Sequence, residues 1–292
     1  MGFSALEANA CRHLVELALE EDVGPGDVTT ESLVAANKRG QARYVVRTAG
    51  VVCGLPAAAM VFERLDTNVA FTPLKADGDR VEAGDTIARV DGPLRSILTG
   101  ERISLNFLQR LSGVASLTRR FVDAVGDLPC KILDTRKTLP GWRLLEKYAV
   151  RAGGGQNHRL GLYDAVLIKD NHLAILEKTG NVIWNAVAQV RKRLSRPLPV
   201  EVEVDSLAQL EAALVAKPER ILLDNMSVDE IRQAVERRNQ IAPEVLLEAS
   251  GGIAIESVRA LAETGVDWIS VGALTHSAPA LDIGLDDIRE TH

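Results

Sequence analysis

The chain holds 292 residues, 46% of them hydrophobic and 25% charged, with 23 glycines and 11 prolines. That balance is ordinary for a globular protein of about two domains, and it excludes a disordered, fibrous or membrane-embedded chain. Lys and Arg total 34 against 40 Asp and Glu, a net charge of −6, and only 4% of residues are aromatic, so a nonspecific nucleic-acid binder is excluded as well.

Residues 5–21 have helical periodicity, with Leu6, Ala10, Leu14, Leu17 and Ala18 in one apolar stripe, and Gly24-Pro25-Gly26 ends the helix. This amphipathic start ends acidic, unlike a secretory signal, and Leu6 stands where a myristoylation motif requires Ser or Thr. GQARYVVRTAGVVCG reads as strand, and Pro56 opens a helix running to about Leu65. The longest nearly apolar run, 51–62, is too short to span a bilayer and contains Gly54 and Pro56. DGDRVEAGDTIARVDG reads as short β segments. A long helix then starts at Thr99 and continues past Ser112-Gly113 to Val125. The cysteines, Cys11, Cys53 and Cys130, form neither a metal motif nor a disulfide framework, so reduced thiols in a cytoplasmic protein are expected.

Beyond Leu128-Pro129 the rhythm changes to short apolar runs alternating with helical stretches: KILDTR, AVLIKD, VEVEVD, RILLDN, VLLEASGG and WISVGA. Near-continuous apolarity fits parallel strands buried on both faces. Each run ends in charge or glycine, at the end where α/β barrels carry their active sites. The expected architecture is α/β, with a smaller α+β domain over 1–112, joined by the tail 276–292, and an α/β barrel over 113–275.

The charge is unevenly spread. Between Lys131 and His172 eight Lys/Arg face four Asp/Glu, which makes this segment +4 and leaves −10 elsewhere. A basic concentration at the functional end of an acidic protein points to a small polyanionic substrate. Arg143, Lys147 and Arg151 follow helical spacing and read as a solvated helix face. Arg136, Lys137, Arg159 and Lys169 do not, because they sit at strand ends or in the GGGQNHR loop. Arg102 falls in the first turn of the helix that Thr99 is expected to cap, where the helix dipole disfavours a cation and a bound anion would relieve the conflict.

GERISLNFLQRLSGVAS, DTRKTLPGWRLLEKYAVRAGGGQNHRLGLYDAVLIKDNH, VEVEVD, ILLDN, LEASGGI and VGALTHS, together with the early EDVGPGDVTT, resemble the quinolinate phosphoribosyltransferase family (nicotinate-nucleotide pyrophosphorylase, carboxylating) in order along the whole chain. The resemblance implies an N-terminal α/β sandwich, a C-terminal incomplete TIM-like barrel and a homodimer with shared active sites. It implies transfer of phosphoribosyl from 5-phosphoribosyl 1-diphosphate to quinolinate, giving nicotinate mononucleotide, diphosphate and CO2 in de novo NAD synthesis, with Mg²⁺.

By the family's pattern Arg102, Arg136, His158, Arg159 and Lys169 surround the dicarboxylate, for which bidentate Arg suits better than Lys, and Thr135 is a further substrate-binding residue. Lys137 is implied to lie at the reacting carbon. Glu203 and Asp224 are implied to be the acids near the ribose, where oxocarbenium charge develops, and to hold Mg²⁺ through water. Strand alternation leaves Glu201 and Glu203 on one face, so spacing alone does not choose between them. Ser250, Gly251 and Gly252, with Gly272, Ala273 and Leu274, are implied to hold the 5-phosphate on backbone N–H groups.

Three rival functions are compatible with parts of the sequence. A related phosphoribosyltransferase acting on another nitrogenous acid has fewer carboxylates to bind than this many cations suggest. A Schiff-base aldolase would use Lys169 as its nucleophile. VEAGDTIARVDG resembles a biotinyl or lipoyl carrier hairpin, but Val90-Asp91-Gly92-Pro93 supplies no lysine for attachment.

Overall fold

The computed structural model describes residues 2–176 and 181–291. Helix α1 (Ala5–Asp22) starts on a capping box between Ser4 and Glu7, and α2 (Val28–Leu33) on the Asp27 side chain, which accepts from Thr30 N–H. β1 (Arg39–Val46) and β2 (Gly50–Val51) follow, then α3 (Leu55–Leu65) with Pro56 in its first turn. β3 (Ala70–Pro73), β4 (Arg80–Val81) and β5 (Thr86–Pro93) lead into the long α4 (Leu94–Val125).

The second half alternates. β6 (Lys131–Leu133) is followed by α5 (Arg143–Ala152), β7 (Val166–Ile168) by α6 (Asp170–Ile175) and α7 (Val182–Arg193), and β8 (Val200–Val204) by α8 (Leu207–Ala216). β9 (Arg220–Asp224) precedes α9 (Val228–Ile241), β10 (Leu246–Ser250) precedes α10 (Val258–Ala262), and β11 (Trp268–Ser270) precedes α11 (Ala273–His276) and a final β12 (Ile283–Thr291).

Two compact units result. The first comprises Met1–Arg119, Lys137–Gly154 and Ala273–His292; the second comprises Arg120–Arg136 and Gly155–Gly272. In the first, an antiparallel sheet runs β12-β1-β5-β3, with Tyr44, Val46, Phe62, Ile87 and Leu108 in its core. The tail strand β12 pairs with β1 from Ile283↔Val46 to Thr291↔Arg39. In the second, six parallel strands run β6-β11-β10-β9-β8-β7. The two edge strands are the first and second in sequence, which is a barrel left open between them. Val200, Val202, Ile221, Leu223, Leu247, Ala249 and Ile269 are buried along it, the pattern expected of strands covered on both faces.

Three expectations change. By its contacts α5 belongs with the first unit. There Glu146 pairs with Arg110, Tyr148 OH donates to Asp77 (2.8 Å), and Arg151 pairs with Glu7. For the same reason α5 is not a solvated charged face: Lys147 is fully buried and Arg143 and Arg151 are half-buried. Helix α1 is where periodicity puts it, but its buried stripe is Glu7, Cys11 and Val15, while Leu6 and Leu17 are about half exposed. Finally, α4 begins at Leu94, not Thr99. The Thr99 hydroxyl donates to Asp27 (3.1 Å) instead of capping, and Arg102 is an exposed residue inside the helix, so the dipole argument for it fails.

Gly113 sits within α4 for a packing reason: a Cβ there would fall on the Pro279 carbonyl oxygen. All three cysteines are buried free thiols. Among the described residues no helix is long and apolar enough to cross a membrane.

Candidate active site

In a parallel α/β sheet the strand C-termini are where loops and side chains can converge without breaking the ladder. The second unit places Thr135 and Arg136 just beyond β6, Lys169 just beyond β7, Glu203 one residue before the end of β8, Asp224 at the end of β9, Ser250 at the end of β10 and Gly272 just beyond β11. These residues are half-buried, a state open to a ligand but shielded from bulk water. Lys137, Ala273 and Leu274, the next residues along the chain, fall in the first unit together with Arg102. In that unit the Thr275 hydroxyl donates to the Lys137 carbonyl (2.7 Å), tying the 137 segment to α11.

The loop carrying His158 and Arg159 is built by backbone pairing at the free edge of β6. Gln156 N–H donates to Ile132 (2.8 Å), and Asp134 N–H donates to Gln156 (3.1 Å). Asp134, fully buried, then accepts from His158 N–H (2.8 Å) and from Asn157 Nδ2 (2.6 Å). Past the loop, Asp164 accepts from Leu160 N–H (2.7 Å) and Gly161 N–H (2.9 Å), and Arg159 Nη1 donates to the Ala165 carbonyl (3.4 Å).

Electrostatics divides the site. Burial, and next the nearby Arg136, lower the Arg159 guanidinium pKa. Two cations close enough to disfavour each other call for an anion between them. Lys169 instead pairs with Glu203. Its backbone N–H donates to His172 Nδ1 (2.9 Å), which sets the start of α6. Asp224 accepts from Asn225 Nδ2 (2.9 Å). Asn225 has a left-handed φ of 55°, and its N–H donates to the Ser250 carbonyl (2.8 Å), linking the ends of β9 and β10. Gly251 (φ +97°) is required beside it, because a Cβ there would meet the Asn225 side chain, 2.6 Å from its Cγ. Gly252 (φ +60°) has open space where a Cβ would stand, so backbone conformation alone selects glycine.

Burial and partners separate Glu201 from Glu203. Glu203 lies toward the strand end against Lys169, whereas Glu201 is 1% exposed and lies 3.0 Å from His158 Nε2. Glu248, also 1% exposed, lies 3.3 Å from the same nitrogen. Burial alone would lower the His158 pKa, but the two carboxylates push it up to about 9. A second ring proton would have to sit on Nδ1, which accepts Arg159 N–H (2.8 Å). Burial and then Glu248 also raise the Glu201 pKa, so the cluster as a whole favours a bound proton.

Asp134, Asp164, Glu248, His172 and Asn225 are not singled out by the sequence as site residues, and Glu201 enters there only as the alternative to Glu203. The available signal was chemical: an acid inside a strand such as VEVEV or LLEAS must be paired once both faces are buried.

Comparison with known proteins matches this arrangement to one family. The model of the quinolinate phosphoribosyl transferase N-terminal domain matches residues 27–112, and that of its C-terminal domain matches 114–286. The chain belongs to the quinolinate phosphoribosyltransferase family. It is 47% identical over 286 residues to the nicotinate-nucleotide pyrophosphorylase [carboxylating] of Mycobacterium leprae, covering 97% of this chain and 99% of that protein. Its structure is similar to that of the nicotinate-nucleotide pyrophosphorylase of Francisella tularensis, with TM-score 0.89, 41% identity and 97% of each chain covered. The Ehrlichia chaffeensis nicotinate-nucleotide pyrophosphorylase gives TM-score 0.89 at 40% identity, covering 99% of this chain and 100% of that one. In this family's frame the chain is a mixed α/β phosphoribosyltransferase whose incomplete parallel barrel bears the basic strand ends.

Proposed function

We propose that this protein transfers phosphoribosyl from 5-phosphoribosyl 1-diphosphate to quinolinate with loss of CO2, forming nicotinate mononucleotide for NAD synthesis. The observation that carries the reading is that Arg136 and Arg159 lie close enough to disfavour each other's charge, in the same unit whose strand ends bear the Lys169–Glu203 pair. Two adjacent carboxylates on a planar ring neutralise two guanidiniums and accept bidentate hydrogen bonds. Thr135 lies next to Arg136 and supplies a hydroxyl, and Lys137, next in the chain, is the cation assigned to the diphosphate and the reacting carbon by the family resemblance.

In the reaction the pyridine nitrogen attacks the ribose anomeric carbon and the bond to diphosphate breaks with both electrons leaving on oxygen. Positive charge on the ribose in the transition state is stabilised by the fixed carboxylates Glu203 and Asp224. The ring nitrogen is then cationic, so when the C2 carboxylate departs as CO2 its electron pair is stabilised at C2, which takes up a proton. Ser250, Gly251 and Gly252, with Gly272, Ala273 and Leu274, offer backbone N–H groups to the 5-phosphate.

Mg²⁺ suits Glu203 and Asp224, which are hard oxygen donors at the ends of adjacent strands β8 and β9. Lys169 engages Glu203 through Oε2, and Asn225 engages Asp224 through Oδ2, so each carboxylate keeps a second oxygen for a metal-bound water. The ion would neutralise charge on the departing diphosphate. Arg102, exposed on α4, is proposed to complete the site of the neighbouring subunit in a homodimer. A cytoplasmic setting fits the three buried free thiols.

Equilibrium titration tests the reading. Quinolinate is expected to bind the protein alone and nicotinate at least tenfold more weakly. Equal affinities would remove the role of the second carboxylate.

A further inference from the structure

We propose that His158 is a positioning residue rather than a substrate ligand: held from within by Glu201 and Glu248, it fixes the backbone of Arg159 and so presents that guanidinium to the dicarboxylate. The inference rests on the function proposed above and concerns how the site is held in shape.

Both ring nitrogens of His158 face groups of the protein itself. Nε2 lies at ion-pair distance from two buried carboxylates, 3.0 Å from Glu201 on β8 and 3.3 Å from Glu248 on β10, without the alignment of a hydrogen bond to either, and the ligating atoms of the three residues lie within 4.8 Å of one another. Nδ1 accepts the N–H of Arg159 at 2.8 Å. The residue's own N–H is fixed on the buried Asp134 (2.8 Å). A ring with its inner nitrogen on two carboxylates and its outer nitrogen on the next peptide has no nitrogen to offer a substrate. What it does have is leverage: the ring ties the Arg159 peptide to two strands of the barrel wall. Supports of this kind, here a hydrogen bond on one side of the ring and close carboxylates on the other, are what keep a binding group within a fraction of an ångström of its productive position.

A histidine with two glutamates is also a recurring metal-binding set, and the spacing would admit an ion. The tautomer argues against it. A metal on Nε2 requires the proton on Nδ1, but Nδ1 here accepts an N–H.

Two measurements test the proposal. In protein labelled with ¹⁵N at histidine, the His158 ring, identified by loss of its signals in His158→Gln, is expected to show Nε2 protonated and Nδ1 unprotonated, with that pattern retained at saturating quinolinate. A pattern reversed or lost on adding quinolinate would overturn the proposal, and this readout needs no altered residue in the protein being titrated. In kinetics, His158→Ala and Glu248→Ala are each expected to raise KM for quinolinate about tenfold, with KM for 5-phosphoribosyl 1-diphosphate within twofold of the parent. The double variant is expected to be no worse than the worse single one, because the two residues act through one support. Glu248→Gln, which keeps an acceptor oxygen, is expected to stay within threefold. An unchanged quinolinate KM in folded Glu248→Ala, or effects that multiply in the double variant, would overturn the proposal while leaving the proposed function standing. Failure of the parent protein to bind quinolinate at all would overturn both.

Discussion

Gly251→Ala perturbs the site through a single added methyl group. An L-residue at φ +97° costs about 1–2 kcal/mol. The new Cβ also stands 2.6 Å from Asn225 Cγ, and relieving such overpacking costs about 1–3 kcal/mol. The total is about 2–5 kcal/mol. With an unfolding entropy of roughly 2.1 cal/mol/K per residue, each kcal/mol lowers the Tm of a chain this size by roughly 1.6 °C, so a fall of roughly 3–8 °C is expected. Asn225 has to move, and its Nδ2 is the donor that orients Asp224. Losing a hydrogen bond to a charged group is worth about 1.5–3 kcal/mol, which corresponds to a loss in turnover of at least about tenfold. Gly252→Ala is the control: its φ is +60° with nothing within 4 Å of the added carbon, so only the backbone term of about 1 kcal/mol applies. Thermal unfolding and steady-state turnover of both variants check this. Equal Tm and turnover for the pair would refute the reasoning that Asn225 constrains position 251.

Three further outcomes are expected. Arg136→Lys keeps the charge but loses the bidentate fork, and is expected to weaken quinolinate binding by about 1.5–3 kcal/mol in an equilibrium titration. Arg102→Ala and Lys137→Ala are each expected to be nearly inactive, and after confirmed subunit exchange between them activity is expected to recover to about one quarter of the parent's by random reassortment of a two-fold dimer. Glu7 has a lowered pKa because, although burial opposes ionisation, hydrogen bonds from Ser4 and Arg151 outweigh it. Its stabilisation is therefore fully present above the ordinary glutamate value of 4.5 and is lost as pH falls through the lowered folded-state value; Glu7→Gln is expected to cost on the order of 1 kcal/mol at pH 7, with the gap in Tm closing in acid.

The barrel was legible because its signal is local. Six short apolar runs, each ending in charge or glycine, became six parallel strands whose C-terminal residues carry Arg136, Lys169, Glu203, Asp224, Ser250 and Gly272. What misled the reading was long-range. Nothing within residues 5–22 indicates that Glu7 faces inward, because its partner Arg151 lies 144 residues away. Lys147 reads as a solvated charge from its spacing, yet α5 is buried on nearly every side. Thr99 is a good capping residue by type, yet its hydroxyl is spent on Asp27 and α4 begins five residues earlier, at Leu94. Glu201 and Glu203 are equivalent by alternation, and only the third dimension sets one against His158 and the other against Lys169.

The central claim, a decarboxylating phosphoribosyl transfer to a dicarboxylate, is tested most directly by product stoichiometry. Quinolinate labelled at the 2-carboxylate is incubated with 5-phosphoribosyl 1-diphosphate, Mg²⁺ and the protein, with nicotinate run in parallel. The account predicts labelled CO2, diphosphate and nicotinate mononucleotide in equal amounts, formation that stops when a chelator removes Mg²⁺, and little product from nicotinate. Nucleotide formed without release of the label, or nicotinate used as well as quinolinate, would contradict it.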